Sequence, residues 1–321
     1  MKFFQAKFSE YQYIKKLIHS NGRSLPRYKK WKNLWLKNPT NKRLSPGEIV
    51  KFEKNSNKIY AYHSSFSKTL KIKNTQYQIE ISSNWNVHKK FRSISIQLLN
   101  RFLNKNTDFF LTSTGNLEVA KIWKAFGAYE VNSKLCSIVF YKVFNTSNFL
   151  RSVLIKKNIP KIVGDILYLF LSPLFFLDYW RNNNVNKLVR FVKLKKIDQN
   201  ISNFIKKYQK TCKDPIEIRS GNRLQWYLDI ISSNKDIHIL KIYFNNYFAG
   251  YAILAIEFNK NLMLRRAFLA EIRIRKSCNV HINEILMNIN VYCKNLGSDI
   301  LEIKNLDYTI DYEITLKFTL C

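Results

Sequence analysis

The chain has 321 residues, 46 % of them apolar and 15 % aromatic, which excludes a disordered protein and leaves room for two hydrophobic cores. Its 54 Lys and Arg against 22 Asp and Glu give a formal charge of +32, so an anionic partner is expected. Cys136, Cys212, Cys278, Cys293 and Cys321 are odd in number and form no CxxC pair, which excludes a disulfide framework and a structural zinc site and fits a reducing cytoplasm.

Charge alone does not choose among nucleic acid, acidic lipid and phosphate-rich small molecules such as CoA or a nucleotide sugar. Many lysines stand beside asparagines, which reads as a compositional bias of the whole chain. No stacking motif or recognition helix argues for specific nucleic-acid binding. His19, His63, His88, His238 and His281 are dispersed and none has the spacing of a metal-binding helix, so each reads as a surface or packing residue and no metal is expected.

The opening MKFFQAKFSEYQYIKK carries no apolar run of signal-peptide length. The first clear strand is YQIEIS, Tyr77 to Ser82, by its period of two. Ile94, Leu98, Leu99, Phe102 and Leu103 then recur at helical spacing, and DFFLTST, Asp108 to Thr114, is a short buried strand. Strand, turn, helix, strand is a crossover unit that builds a partly parallel sheet. A further helix runs from Asn116 with Val119, Ile122, Trp123 and Phe126 on its apolar face and Gly127 as its stop. SIVFYKVF, Ser137 to Phe144, reads as the closing strand of this first unit.

The hydrophobic block Ile159 to Trp180 is broken by Asp165 and Pro173, so it reads as a buried or membrane-surface helical pair rather than a span. A boundary is placed near Arg181. Beyond it, Ile237 to Glu257 reads as two strands around an Asn245-Asn246 turn, AFLAEIRI as another strand, INEILMNINVYCKNLG as a helix ending at Gly297, and DILEI as a last strand. The expected division is a first domain over 1–150, a hydrophobic linker or membrane-surface segment over 151–185, and a second domain over 186–321.

Three stretches carry a family resemblance: YKKWKNLWLKNPTNKR from Tyr28 to Arg43, WNVHKKFRSISIQLL from Trp85, and TSTGNLEVAKIWKAFGA from Thr112 to Ala128. In this order they resemble the GNAT (N-acetyltransferase) superfamily, in particular tandem-domain bacterial members associated with cell-surface polysaccharide loci. The second domain of that type would account for EIRSGNRLQWYLD onward. The resemblance implies an α/β protein of two GNAT-like domains, each a mixed, partly parallel central sheet flanked by helices. It implies transfer from acetyl-CoA or another acyl-CoA to a small-molecule amine, with an amino sugar of a surface glycan pathway, carried on a nucleotide, as the acceptor.

In such proteins the turn between central strand and helix binds the CoA pyrophosphate through backbone N–H groups. A helix start suits this, because its first N–H groups lack partners and the helix dipole is positive there. The resemblance therefore assigns Val87, Arg92, Ser93, Ile94, Ser95, Ile96 and Asn116 to the acyl-CoA. Arg92 holds the motif's basic position, while Ser93 to Gln97 stand where glycines are usual. Serine hydroxyls can cap the helix and donate to phosphate, and an amphipathic helix with serine caps and no ligand is the alternative. Trp123 stands where the family often has a tyrosine acid, so Tyr129 or Tyr141 would have to substitute, with Tyr129 preferred. The general base expected on the central strand is Glu80, and Glu271 occupies the matching strand of the second unit.

The functional expectation is a cytoplasmic N-acyltransferase with peripheral membrane contact through Ile159 to Trp180. Two rivals stand beside it: a catalytically silent GNAT-like scaffold at the membrane face, and aminoacyl transfer of the Fem type, for which no helical arm for tRNA is visible.

Overall fold

The computed structural model describes residues 1–39, 45–112, 117–129, 139–159, 162, 163, 166, 170, 186–212, 216–232, 235–275, 277, 278 and 280–304. The chain forms two compact units, Met1–Glu130 with Ile205–Ile230, and Val131–Phe204 with Ile231–Cys321. Each unit is thus built from two stretches of chain, where the sequence reading has one boundary near Arg181.

In the first unit the sheet runs β1 (Lys2–Gln5), β2 (Glu48–Lys51), β3 (Ala61–Ile72), β4 (Thr75–Val87), β5 (Phe109–Leu111). All neighbours are antiparallel except β4 and β5, where Ile79–Ile81 pair in parallel with Phe109–Leu111. That parallel step needs a crossover, and α3 (Ile94–Leu103) supplies it. The β3 edge is shared: β2 covers Ala61–His63, and the short strand β8 (Ile216–Glu217), from much later in the chain, covers Leu70 and Lys71.

Helices α1 (Tyr11–Ser20) and α2 (Tyr28–Leu36) bury one stripe each. Tyr11, Ile14, Leu17 and Ile18 follow the 3, 4, 7 spacing of a helix face. They meet Trp31, Trp35, Ile49 and Tyr62 in one core cluster. Below α3, Leu99 and Phe102 pack with Trp123 of α4 (Leu117–Ala125). Gly127 follows at φ +83°, the left-handed conformation that ends a helix most cheaply in glycine.

The second sheet has the order β6 (Val139–Val143), β12 (Ile300–Lys304), β11 (Leu264–Ile274), β10 (Tyr247–Asn259), β9 (Asp236–Phe244), β7 (Val189–Leu194). Only β11 and β12 are parallel, again joined by a helix, α8 (Ile282–Asn295). In chain order α5 (Thr146–Lys156) precedes β7, while α6 (Gln199–Thr211) and α7 (Gly221–Ile231) lie between β7 and β9. Ile285, Leu286, Ile289 and Cys293 of α8 close the core over Leu240, Leu254 and Leu301. The turn between β9 and β10 has Asn245 and Asn246 at φ +49° and +64°, the left-handed pair that a two-residue hairpin requires.

One expectation is corrected here. The strand expected over Ser137 to Phe144 does not close the first unit: Val139–Val143 pairs antiparallel with Ile300–Lys304 in the second sheet. A strand's local pattern fixes its type and leaves its partner open.

Candidate active site

The middle of β3 and β4 carries polar side chains on a face where a core would be expected. Ser65 opposes Ser82 and Ser67 opposes Glu80 across the ladder, so these four share one side of the sheet. Glu80 is 5 % exposed. Ser65 Oγ donates to its Oε2 at 2.5 Å, Ser67 Oγ donates to Oε1, and Lys105 Nζ stands 3.6 Å from Oε2. A buried carboxylate survives as an anion only with such compensation.

Lys105, two residues past α3, also donates to Ser65 Oγ at 2.6 Å and lies 5.1 Å from the Phe102 ring centre. His63 Nε2 meets Ser82 Oγ at 2.9 Å. Burial, then the nearby Lys105 charge, pushes the His63 pKa down to about 3, so the imidazole is neutral at physiological pH.

Gln5, Trp35, Ser45, Gly47 and Glu48 complete a pocket around these groups. Trp35 is fixed by stacking on Phe66, with ring centres 4.5 Å apart. Gly47 is required by close approach: at φ +138°, a Cβ there would lie 2.4 Å from the His63 carbonyl oxygen. The free space is about 40 Å³, room for roughly two or three water molecules.

From this pocket β4 runs toward the expected CoA turn. Its β5 partner pairs only with Ile79–Ile81, so from Ser82 to Val87 that edge has no strand neighbour among the described residues. At the far end, Lys89, Lys90, Arg92 and Ser93 are exposed, and α3 begins at Ile94. Among the described residues, a path of unpaired strand edge thus joins a basic helix start to a buried carboxylate.

The structure places the expected residues as follows. Glu80 lies in the pocket. Arg92 and Ser93 face solvent, Ser95 is half-buried, Ile94 is buried and Ile96 is 50 % exposed. The Val87 carbonyl accepts from the Asn21 amide at 3.3 Å, and Asn116 lies outside the described residues. Ser93 is the N-cap without a side-chain capping bond, which corrects the expected serine cap. The capping side chain of this segment is instead His88, whose Nδ1 accepts from Lys90 N–H at 3.3 Å at the start of the Lys89–Phe91 turn. Tyr129 is 96 % exposed and does not line the Glu80 pocket. Trp123 is core, 4 % exposed, against Trp85 and Phe102. In the second unit, Glu271 accepts from Tyr251 Oη at 2.8 Å and from Arg273 Nε at 3.3 Å.

Sequence reasoning missed His63, Ser65, Ser67 and Lys105. The signal for three of them was present: His63, Ser65 and Ser67 alternate, and alternation on a strand means one face. Lys105 carries no such signal, because its partners are 25 and 40 positions away in sequence.

No protein-family profile matches the chain, and no curated protein matches it in sequence. Solved structures do match. Saccharomyces cerevisiae N-myristoyltransferase with bound myristoyl-CoA superposes with a TM-score of 0.56 at 15 % identity, covering 99 % of this chain and 75 % of that one. A GCN5-related N-acetyltransferase from Anabaena variabilis superposes with a TM-score of 0.60 at 10 % identity, covering 98 % and 68 %. At such identities the likeness is one of fold. Two mixed sheets flanked by helices, each with one parallel pair joined across a helix, make this a two-domain α/β protein of GNAT-like fold.

Proposed function

We propose that the protein is an acyl-CoA-dependent N-acyltransferase acting on an amine. One observation carries this reading: the open β4 edge leads from the basic start of α3 to buried Glu80. The pyrophosphate would meet Arg92 and the N–H groups beginning α3, and the pantetheine arm would follow the strand edge. A relative in fold, the yeast N-myristoyltransferase, carries myristoyl-CoA, which supports an acyl-CoA as the co-substrate.

In this reading Glu80 takes the proton of the incoming ammonium, and the freed amine attacks the thioester carbon. The carbon–sulfur bond then breaks, and the thiolate takes the second proton from nitrogen. A thiol is a far better leaving group than an alcohol, with a pKa of about 8.5, so the loss of the usual tyrosine acid to Trp123 is tolerable. The acceptor we assign is a polar primary amine such as an amino sugar of a surface glycan. It is supported by the hydroxyl and carboxylate lining of the pocket and by the motif resemblance.

A second reading, a catalytically silent member of the same fold, is favoured by the glycine-poor turn and the buried Trp123. Calorimetric titration of acetyl-CoA and a long-chain acyl-CoA at two salt concentrations separates the two. Binding that persists at moderate salt is expected, since a shaped site is screened less than a diffuse charge field. Binding abolished by salt would end the enzyme reading. Glu80→Gln should keep that binding and lower turnover on an amine panel by roughly 10²- to 10⁴-fold, the range of a lost general base.

A further inference from the structure

Lys105 is the one amine among the residues lining the Glu80 pocket. Its Nζ is 2.6 Å from Ser65 Oγ and 3.6 Å from Glu80 Oε2, and its side chain keeps 18 % of its exposure. Other buried lysines are held away from this pocket: Lys51 pairs with Glu10 at 2.5 Å and Lys241 with Asp198 at 2.5 Å. So the protein already holds a primary ammonium where the incoming acceptor would have to give up its proton.

We propose that Lys105 is itself an acyl acceptor: with no amine substrate bound, the protein transfers the acyl group of acyl-CoA to Lys105 Nζ and thereby silences its own site. The inference rests on the acyltransferase reading above. The step balances as an ordinary amide formation. Glu80 accepts one proton from the Lys105 ammonium, the nitrogen lone pair adds to the thioester carbonyl, the carbon–sulfur bond breaks, and the departing thiolate takes a second proton from nitrogen. Glu80 returns its proton to solvent, so one proton is released overall with CoA thiol and a neutral amide as products.

The consequence follows from what the ammonium was doing. The amide retains one N–H for Ser65 but no charge beside Glu80, so the buried carboxylate loses the Lys105 cation that stands 3.6 Å from it. The acyl group also occupies free space of about 40 Å³, which an amine substrate would need. An amide does not return its acyl group readily, so the product is a closed state rather than a carrier.

The test is incubation of the full-length protein with acetyl-CoA alone, followed by peptide mass spectrometry over time with parallel measurement of CoA thiol. One acetyl group on the Lys105 peptide is expected, forming at least tenfold faster than on exposed Lys54 and Lys73, with matching thiol release. Glu80→Gln should slow the Lys105 reaction at least tenfold and leave Lys54 and Lys73 unchanged, and Lys105→Arg should abolish the fast phase. Equal rates at Lys105, Lys54 and Lys73 overturn the proposal, and that comparison needs no variant. Acylation of an added amine with Lys105 untouched overturns it while the acyltransferase reading stands. Absence of both acyl-CoA binding and turnover removes the two together.

Discussion

His63 is a base that the folded protein keeps from its proton. Its pKa is about 3 in the fold against 6.5 ordinarily, because burial disfavours the imidazolium and Lys105 repels it. As pH falls, the unfolded chain therefore binds a proton before the folded one does. The stability this group contributes is intact above about pH 6.5 and drains away between there and about pH 3. The whole loss is on the order of 5 kcal/mol at most, at about 1.4 kcal/mol per pKa unit. Urea melts from pH 7 to pH 4 should show this slope in the parent and a flatter one in His63→Gln. Parallel curves would mean that the imidazole is already exposed to solvent in the native state. Of the residues around it, Glu80 was legible in the sequence, as a carboxylate in a period-two strand. The alternation of Ser65 and Ser67 put them on one face, but their place in a pocket was not legible, because polar residues on a strand face usually signal water. Here that face is shut by Trp35 and Gly47, which come from other segments.

At the scale of elements, the two strand, helix, strand crossovers were legible because local period decides them. The helix from Ile94 and the strand pair Ile79–Ile81 with Phe109–Leu111 are where the spacing put them. So is the hairpin at Asn245 and Asn246, since two consecutive asparagines tolerate positive φ. The strand β3 escaped notice because its sequence, AYHSSFSKTLKI, is mostly polar, and β6 was given to the wrong sheet because its partner lies 157 positions away at Ile300–Val143. The start of α3 is the element with the most to test. A charge-assisted contact between Arg92 and a pyrophosphate is worth about 1.5 to 3 kcal/mol. Arg92→Glu should thus weaken acyl-CoA binding by roughly tenfold or more. Ser95→Gly should strengthen binding or leave it alone, because it removes a side chain from the approach while Ser93, not Ser95, is the N-cap. Equal affinity of parent and both variants in calorimetry would remove the turn from the site.

For the whole molecule, the feature that sequence could not show is the interleaving of the chain. The first unit takes Ile205–Ile230 from beyond the second unit's first segment, and that return brings β8 to the β3 edge. It also brings Arg223, 2 % exposed, whose Nη2 donates to the Ser67 carbonyl at 3.2 Å and whose Nε lies 3.4 Å from Glu217. Ser67 is a partner of Glu80, so the pocket is braced by a segment far along the chain. Residues 1–150 expressed alone should lack that brace and unfold without a sharp transition in thermal circular dichroism. A fragment melting as cooperatively as the full chain would show that the returning segment is dispensable. The same interleaving sets an order on synthesis. A ribosome that has released the whole of β3 and β4 has still not released Arg223, so the nascent Glu80 pocket must persist with an unbraced strand edge while about 140 further residues emerge, at roughly 5 to 20 per second. For those seconds the exposed β3 edge is open to pairing with another chain, which makes this protein one whose yield should depend on translation speed and on chaperones that shield strand edges.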